Sequence, residues 1–251
     1  MRVPRVYIDQ ALHSGAELAL DKSAAHYLVS VLRLRADDAL IVFNGSGGEY
    51  SALLQSATNK QATITIGEYS AGVEPSPVRV VLAIGLSRGE RMDWVIQKAV
   101  ELGVNEIVPL FTERCEVKLK GERALKKLGH WQQIAISACE QSQRNDVPDI
   151  KAAQPLSEFL VTNDTPADSS IKLILDPRAE QSLSSTLLKQ GSSAKTIVLF
   201  SGPEGGFSEG EIALAQQQGV VSVGLGPRVL RTETAPLCAL SIVQALLGDM
   251  A

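Results

Sequence analysis

The sequence predicts an α/β protein with a parallel sheet in its larger, C-terminal part and a small β-rich part before it. Two observations carry this. From Val78 onward, short apolar runs alternate with stretches of helical periodicity, the pattern of parallel strands joined by helices. Before that point, short strand-like runs and glycine turns surround one short helical stretch. Between them lies Ala71-Gly72-Val73-Glu74-Pro75-Ser76-Pro77, whose glycine and prolines interrupt helix and ladder alike. Placing the boundary there gives domains 1–72 and 73–251.

In the first domain, Arg5 to Ile8 reads as a strand. Asp21 to Leu32 carries Tyr27, Leu28, Val31 and Leu32 at helical spacing, with Asp21 placed to cap. Ala39 to Phe43 and Tyr50 to Leu54 are strands flanking the turn Asn44-Gly45-Ser46-Gly47-Gly48, and Gln61 to Gly67 alternates in the β manner. Arg2, Arg5, Lys22, Arg33 and Arg35 against Asp9, Glu17 and Asp21 leave a local balance of +2, which by itself describes an ordinary solvated surface.

In the second domain, Val78 to Leu86 is almost wholly apolar, as a strand buried on both faces should be. Glu90 to Val100 presents Met92, Val95, Ile96, Ala99 and Val100 on one helical face, and Gly103 closes it. A strand follows at Glu106 to Phe111, then a long helix over Glu122 to Gln143. Ile171 to Leu175 is a strand that stops at Asp176-Pro177. Pro236 to Leu247 is a helix apolar on nearly every side, which demands cover all round, from this chain or from a second copy. Lys118, Lys120, Arg123, Lys126 and Lys127 form a basic run opposed only by Glu122; it suits a solvated helix start and an RNA-facing patch equally well.

Composition excludes several classes. Hydrophobic residues make up 45% of the 251, enough for real cores, yet no run reaches the roughly 18 residues of a membrane span. No apolar leader follows Met1, so a cytoplasmic protein is expected. Cys115, Cys139 and Cys238 lie far apart with no CxxC pair, so neither a disulfide framework nor a metal is expected. A net charge of −4 gives no global attraction to nucleic acid, so any RNA surface must be local.

The most informative stretch runs from Ile197 to Ala235. An apolar run enters Gly202-Pro203-Glu204-Gly205-Gly206, and a capping box, Ser208 with Glu211, opens a short helix. A second apolar run, Val220 to Leu225, then enters Gly226-Pro227-Arg228-Val229-Leu230-Arg231-Thr232-Glu233-Thr234-Ala235. Both loops fall beyond the carboxyl ends of predicted parallel strands, where such sheets bind ligands. The phosphate motifs GxxxxGK[ST] and GxGxxG are absent, and Glu204 would repel a phosphate, so a neutral or positive ligand is expected.

GPEGGFS followed by LGPRVLRTETA resembles the knotted methyltransferases of the SPOUT class, and within it the 16S ribosomal RNA (uracil-N3)-methyltransferase family, RsmE. The likeness extends to Pro4-Arg5-Val6-Tyr7, His26 to Arg33, Ser87-Arg88-Gly89-Glu90, Gln97 to Gly103, and Ala138-Cys139-Glu140-Gln141-Ser142 with Arg144, nearly the whole chain. The resemblance implies a PUA-like β-barrel domain for RNA binding, followed by a SPOUT-type knotted α/β domain that binds S-adenosylmethionine, a cationic ligand, and dimerises through the last helix. Residue spacing itself does not specify a knot, a rare topology.

The resemblance also implies a cofactor site made of Leu175, Phe200, Gly202, Pro203, Glu204, Gly205, Gly206, Leu225, Gly226, Arg228, Leu230 and Ala235. Arg5, His26, Arg33, Arg88, Lys118 and Lys120 become candidate contacts to 16S ribosomal RNA or the small ribosomal subunit. Uracil N3 is a poor nucleophile while protonated, so methyl transfer needs a base or a cation that stabilises the uracil anion. Arg231, at the mouth of the second loop, is the candidate cation. Glu233 is a candidate base, although a carboxylate at a helix start also has a simpler role beside the dipole. The alternatives are a non-catalytic RNA-binding protein retaining the fold and a nucleotide-phosphate enzyme. The intact loops argue against the first, the missing phosphate motifs against the second.

Overall fold

The computed structural model describes residues 3–58, 61–162, 169–191 and 194–250, so Arg2 of the N-terminal basic set lies outside the described residues. The chain divides into two units. One holds Met1–Glu74 together with Cys139–Val147, the other Pro75–Ala138 and Pro148–Ala251.

In the first unit the strands are β1 (Arg5–Tyr7), β2 (Glu17–Leu20), β3 (Ala39–Phe43), β4 (Glu49–Ala57) and β5 (Ala62–Ser70), with helix α1 (Lys22–His26) running into a π-helical turn, Tyr27–Val31. The sheet order is β1-β3-β4-β5-β2; only the β1–β3 pair is parallel. Two register shifts between β4 and β5 let this hairpin bend. Asp21 caps α1 by accepting the Ala24 N–H at 2.7 Å, as its position predicts. Strand β2 is not legible in the sequence, because only Leu20 of its four residues is deeply buried.

The Cys139–Val147 segment supplies this unit with polar anchors. Glu140 accepts the Tyr7 N–H at 3.0 Å and the Tyr27 hydroxyl at 3.1 Å. Burial raises the Glu140 carboxyl, against the bonds that favour its charge, and burial beside Glu140 pushes the Tyr27 phenol up to about 12. Cys139 is buried and its thiol is likewise pushed up to about 12, so it stays a neutral packing group; Cys115 and Cys238 are half-buried. The described residues contain no cluster able to hold a metal ion.

The second unit contains β6 (Arg79–Gly85), α2 (Arg91–Glu101), β7 (Glu106–Phe111), α3 (Gly121–Ser142), β8 (Asp149–Ile150), β9 (Gln154–Pro155), α4 (Leu156–Thr162), β10 (Ser170–Leu175), α5 (Leu183–Gln190), β11 (Thr196–Ser201), α6 (Glu209–Gln217), β12 (Val221–Val223) and α7 (Thr234–Leu247). The last turn of α3 is counted with the first unit. The sheet is parallel throughout, in the order β12-β10-β11-β6-β7-β8, with β9 pairing further along β7. Six of the seven residues of β6 are buried, which explains its unbroken apolar sequence. Helix α2 ends where Gly103 adopts φ +81°, and a Cβ there would lie 2.5 Å from Nε2 of Gln244. Gln244, fully buried on α7, donates to the Gly103 carbonyl and accepts from Ser76, which fixes α7 on this unit.

Candidate active site

Strand order decides where the two glycine loops meet. β10 lies between β11 and β12, so the loops after β11 and β12 flank the Leu175-Asp176-Pro177 end of β10. Together they enclose a cavity of about 640 Å³, within the usual range for a small ligand. The capping box forms as read: Ser208 Oγ accepts the Glu211 N–H, and Glu211 accepts the Ser208 N–H. The other oxygen of Glu211 accepts the Glu113 N–H at 2.8 Å, which ties the loop after β7 to α6.

The first turn is built on close backbone approach. A Cβ on Gly202 would sit 3.0 Å from the Gly206 Cα, and one on Gly85 would meet Pro203 at 2.5 Å. Gly206 lines the cavity, has φ +66°, and has open space around its missing Cβ. Gly205 is glycine for another reason: a Cβ there would lie 2.9 Å from the Cβ of Arg114. Thr232 joins the two loops by donating to the Gly202 carbonyl at 2.8 Å, and its oxygen lies 3.4 Å from the Ser87 hydroxyl.

Of the twelve residues implied for the cofactor, eleven line this cavity. Phe200 does not. Its side chain is fully buried against Phe159, with ring centroids 5.7 Å apart; the next residue, Ser201, faces the cavity by strand alternation. Glu204 lines the cavity, but its charge is answered inside the protein. It accepts from the Arg91 guanidinium at 2.6 Å and from the Arg88 N–H at 3.1 Å. Burial would raise this carboxyl; its own N–H, the Arg88 N–H and Arg91 outweigh that and hold it below the usual carboxylate range. Arg91 is thus the counterion of Glu204 within the protein.

Arg231 is exposed on the cavity wall and forms no ion pair among the described residues. Glu233 occupies the N-cap position of α7 without a side-chain capping bond, 3.9 Å from the Arg91 guanidinium. Arg88 is exposed and pairs with Glu116. His26, Arg33, Lys118 and Lys120 are all exposed, as RNA contacts must be. Within the basic run, Lys126 pairs with Glu122 and Lys127 with Asp93, which also takes bonds from His130 and Trp131.

Arg5 is different. It is 8% exposed and pairs with Glu49, donates to Asn145 at 2.5 Å and to the Arg144 carbonyl, and lies over the Phe43 ring. It is an interior anchor of the first unit, and its reading as a phosphate contact is corrected by its burial. Sequence reasoning also missed Arg91, Arg114 and Thr232, each of which makes its defining contact far along the chain.

The fold and its cleft are those of an RNA methyltransferase. Residues 74–244 match the RNA methyltransferase domain family, and residues 20–67 match the PUA domain of RNA methyltransferases. Over 252 aligned residues, covering 99% of this chain and 98% of the relative, the sequence is 36% identical to Ribosomal RNA small subunit methyltransferase E of Buchnera aphidicola (subspecies Schizaphis graminum). The crystal structure of a Ribosomal RNA small subunit methyltransferase E from Neisseria gonorrhoeae bound to S-adenosyl methionine superposes with a TM-score of 0.90 at 36% identity, over 100% of both chains. A putative methyltransferase from Legionella pneumophila in complex with the bound cofactor SAM gives 0.91 at 38% identity, over 99% of this chain and 100% of that one. This chain belongs to the ribosomal RNA small subunit methyltransferase E family.

Proposed function

We propose that this protein methylates N3 of a uridine in 16S ribosomal RNA, using S-adenosylmethionine held in the cleft at the ends of β10, β11 and β12. The observation that carries this reading is the cleft itself: three loops close on about 640 Å³, in a chain that superposes throughout its length on relatives solved with that cofactor. The residues fit it. Leu175, Leu225 and Leu230 offer apolar walls, and the open φ +66° turn at Gly206 presents backbone to the cavity. When bound, the cofactor supplies a methyl carbon activated by its sulfonium. The protein holds the uracil in line with it, and Arg231 stabilises the negative charge left on the base as the N3 proton departs. Glu233 is the proposed acceptor of that proton. The tie between Thr232 and Gly202 supports the SPOUT arrangement of the two loops. N3 lies on the pairing edge, so the target must be unpaired or turned out of its stack. The first unit supplies further RNA contacts through His26 and Arg33, and Arg88, Lys118 and Lys120 supply them from the second. A ribosomal RNA substrate implies work in the cytoplasm; no helix among the described residues is long and apolar enough to cross a membrane.

Nucleoside analysis of small-subunit RNA from cells with and without the protein tests the reaction. N3-methyluridine that disappears with the protein is expected; a methyl group on ribose, on C5 or on another base refutes the assignment. Gly206→Val tests the cofactor site. A β-branched residue at φ +66° is strained, by about 1–3 kcal/mol, in a turn that lines the cavity. Calorimetry should show S-adenosylmethionine affinity reduced at least about tenfold with the fold retained; unchanged affinity removes the turn from the site.

A homodimer through α7 is part of the proposal. Leu240 is fully buried within one chain, so it cannot face a partner. The open side carries half-exposed Leu237, Cys238 and Ile242, with Leu246 38% exposed. Light scattering should give a dimer at micromolar concentration, and Ile242→Glu, which places an unpaired charge in that contact, should give monomers. A monomeric wild type contradicts the dimer.

A further inference from the structure

A second, smaller recess opens beside the cofactor cleft, lined by Arg88, Arg91, Glu113, Arg114, Glu116 and Glu204 among others, and it shares Arg91, Arg114, Glu204 and Gly205 with the larger cavity. Its three arginines and three glutamates cancel in formal charge, but their pairing does not leave them equivalent. Glu204 engages Arg91, and Glu116 engages Arg88. The carboxylate of Glu113 turns towards the first turn of α6, 3.9 Å from where a Cβ on Gly210 would stand. Arg114 alone of the three arginines forms no ion pair among the described residues.

Arg114 is also held in place. Its stem packs on Gly205, and Nη1 donates to the Gly205 carbonyl at 2.9 Å. The loop that carries it is pinned on both sides: the Glu113 N–H is bound by Glu211, and Cys115 Sγ donates to the Leu86 carbonyl. One edge of the guanidinium is therefore used for positioning. The other guanidinium N–H groups of Arg114 make no hydrogen bond among the described residues, and the side chain lines the recess, which leaves a fork suited to two oxygens of one anion.

Resting on the methyltransferase reading, we propose that Arg114 binds a phosphodiester of the RNA substrate beside the target uridine, and that the recess seats this phosphate while the base enters the neighbouring cleft. Gly205 links the two events, because the same residue shapes the cofactor turn and orients the arginine.

The test compares wild type, Arg114→Ala and Arg114→Lys on a small-subunit ribosomal RNA fragment, with S-adenosylmethionine affinity measured separately. Arg114→Ala should raise the RNA KM about tenfold with kcat within about twofold, and should make the slope of log affinity against log salt shallower by about 0.7 to 0.9. Arg114→Lys should restore the salt slope and recover only part of KM, since it keeps the charge without the fork. Cofactor affinity should hold in both variants. An Arg114→Ala enzyme with the wild-type KM and salt slope overturns the proposal. So does one that loses cofactor affinity while its salt slope is unchanged, which would make Arg114 a prop for the turn. Failure of the wild type to bind S-adenosylmethionine or to methylate the RNA sinks the methyltransferase reading instead, whatever Arg114 does.

Discussion

Arg231→Ala should lower kcat by about 10² to 10³-fold, the usual cost of removing one preorganised donor aimed at developing charge. Three features make this the largest expected effect on activity. The guanidinium lines the cleft and forms no ion pair among the described residues, so its charge is available to a reacting base. Its backbone carbonyl accepts the N–H groups of Thr234 and Ala235 at 2.9 and 3.0 Å, which anchors the residue at the start of α7. Alanine keeps those backbone bonds, so cofactor affinity should change only slightly. The loss should therefore appear in kcat and in kcat/KM together, the sign of an interaction made in the transition state. It should shrink at alkaline pH, where the uracil gives up its N3 proton more readily. Single-turnover kinetics with saturating RNA, run across pH, provide the check; a normal kcat removes Arg231 from the chemistry.

The largest expected effect on stability lies at Arg5. Arg5→Ala strips a buried charge from Glu49 and leaves Asn145 and the Arg144 carbonyl without their donor. Breaking a buried pair from one side costs about 3–5 kcal/mol, a large fraction of what a domain of this size possesses. Thermal unfolding should show the first unit melting well below the wild type. The contrast with an exposed phosphate contact is sharp. Loss of such a contact would leave the melting temperature within a few degrees and change only the salt dependence of RNA binding. If Arg5→Ala behaves in that second way, the arginine is not the anchor described here.

These two arginines show which parts of the molecule could be read from the sequence. The strands β6, β7 and β11 were legible because both their faces are covered, which writes an apolar run into the chain. The Ser208–Glu211 box was legible because both partners lie within one turn. Helix α5 is capped in a similar way, Ser182 accepting the Ser185 N–H, but its eight residues carry too short a period to stand out in the sequence. Helix α4 has seven residues and β8 only two, too few to establish a period. In the site, glycines announced the loops because their need is local. The partners of the arginines are not local. Arg91 and Glu204 are 113 positions apart, Arg114 and Gly205 are 91 apart, and Arg5 and Asn145 are 140 apart. No window of sequence contains both members, so Glu204 read as a free carboxylate and Arg5 as a free cation.

The segment Cys139–Val147 has a consequence for the order in which the chain is made. The first unit is discontinuous: its strands are translated first, but Asn145, which accepts from Arg5, and Glu140, which accepts the Tyr7 amide, lie 140 and 133 residues downstream. On the ribosome at about 5–20 residues per second, the emerging N-terminal sheet waits several seconds or more for Glu140 and Asn145. During that interval Arg5 has Glu49 as its ion-pair partner but lacks Asn145 and the Arg144 carbonyl, beside a half-made core. The strands that supply the cleft, β10, β11 and β12, all come later still. The part of the protein that begins folding first can therefore be completed only after α3 has been made, and a gene fragment ending at the linker encodes an unfinished unit.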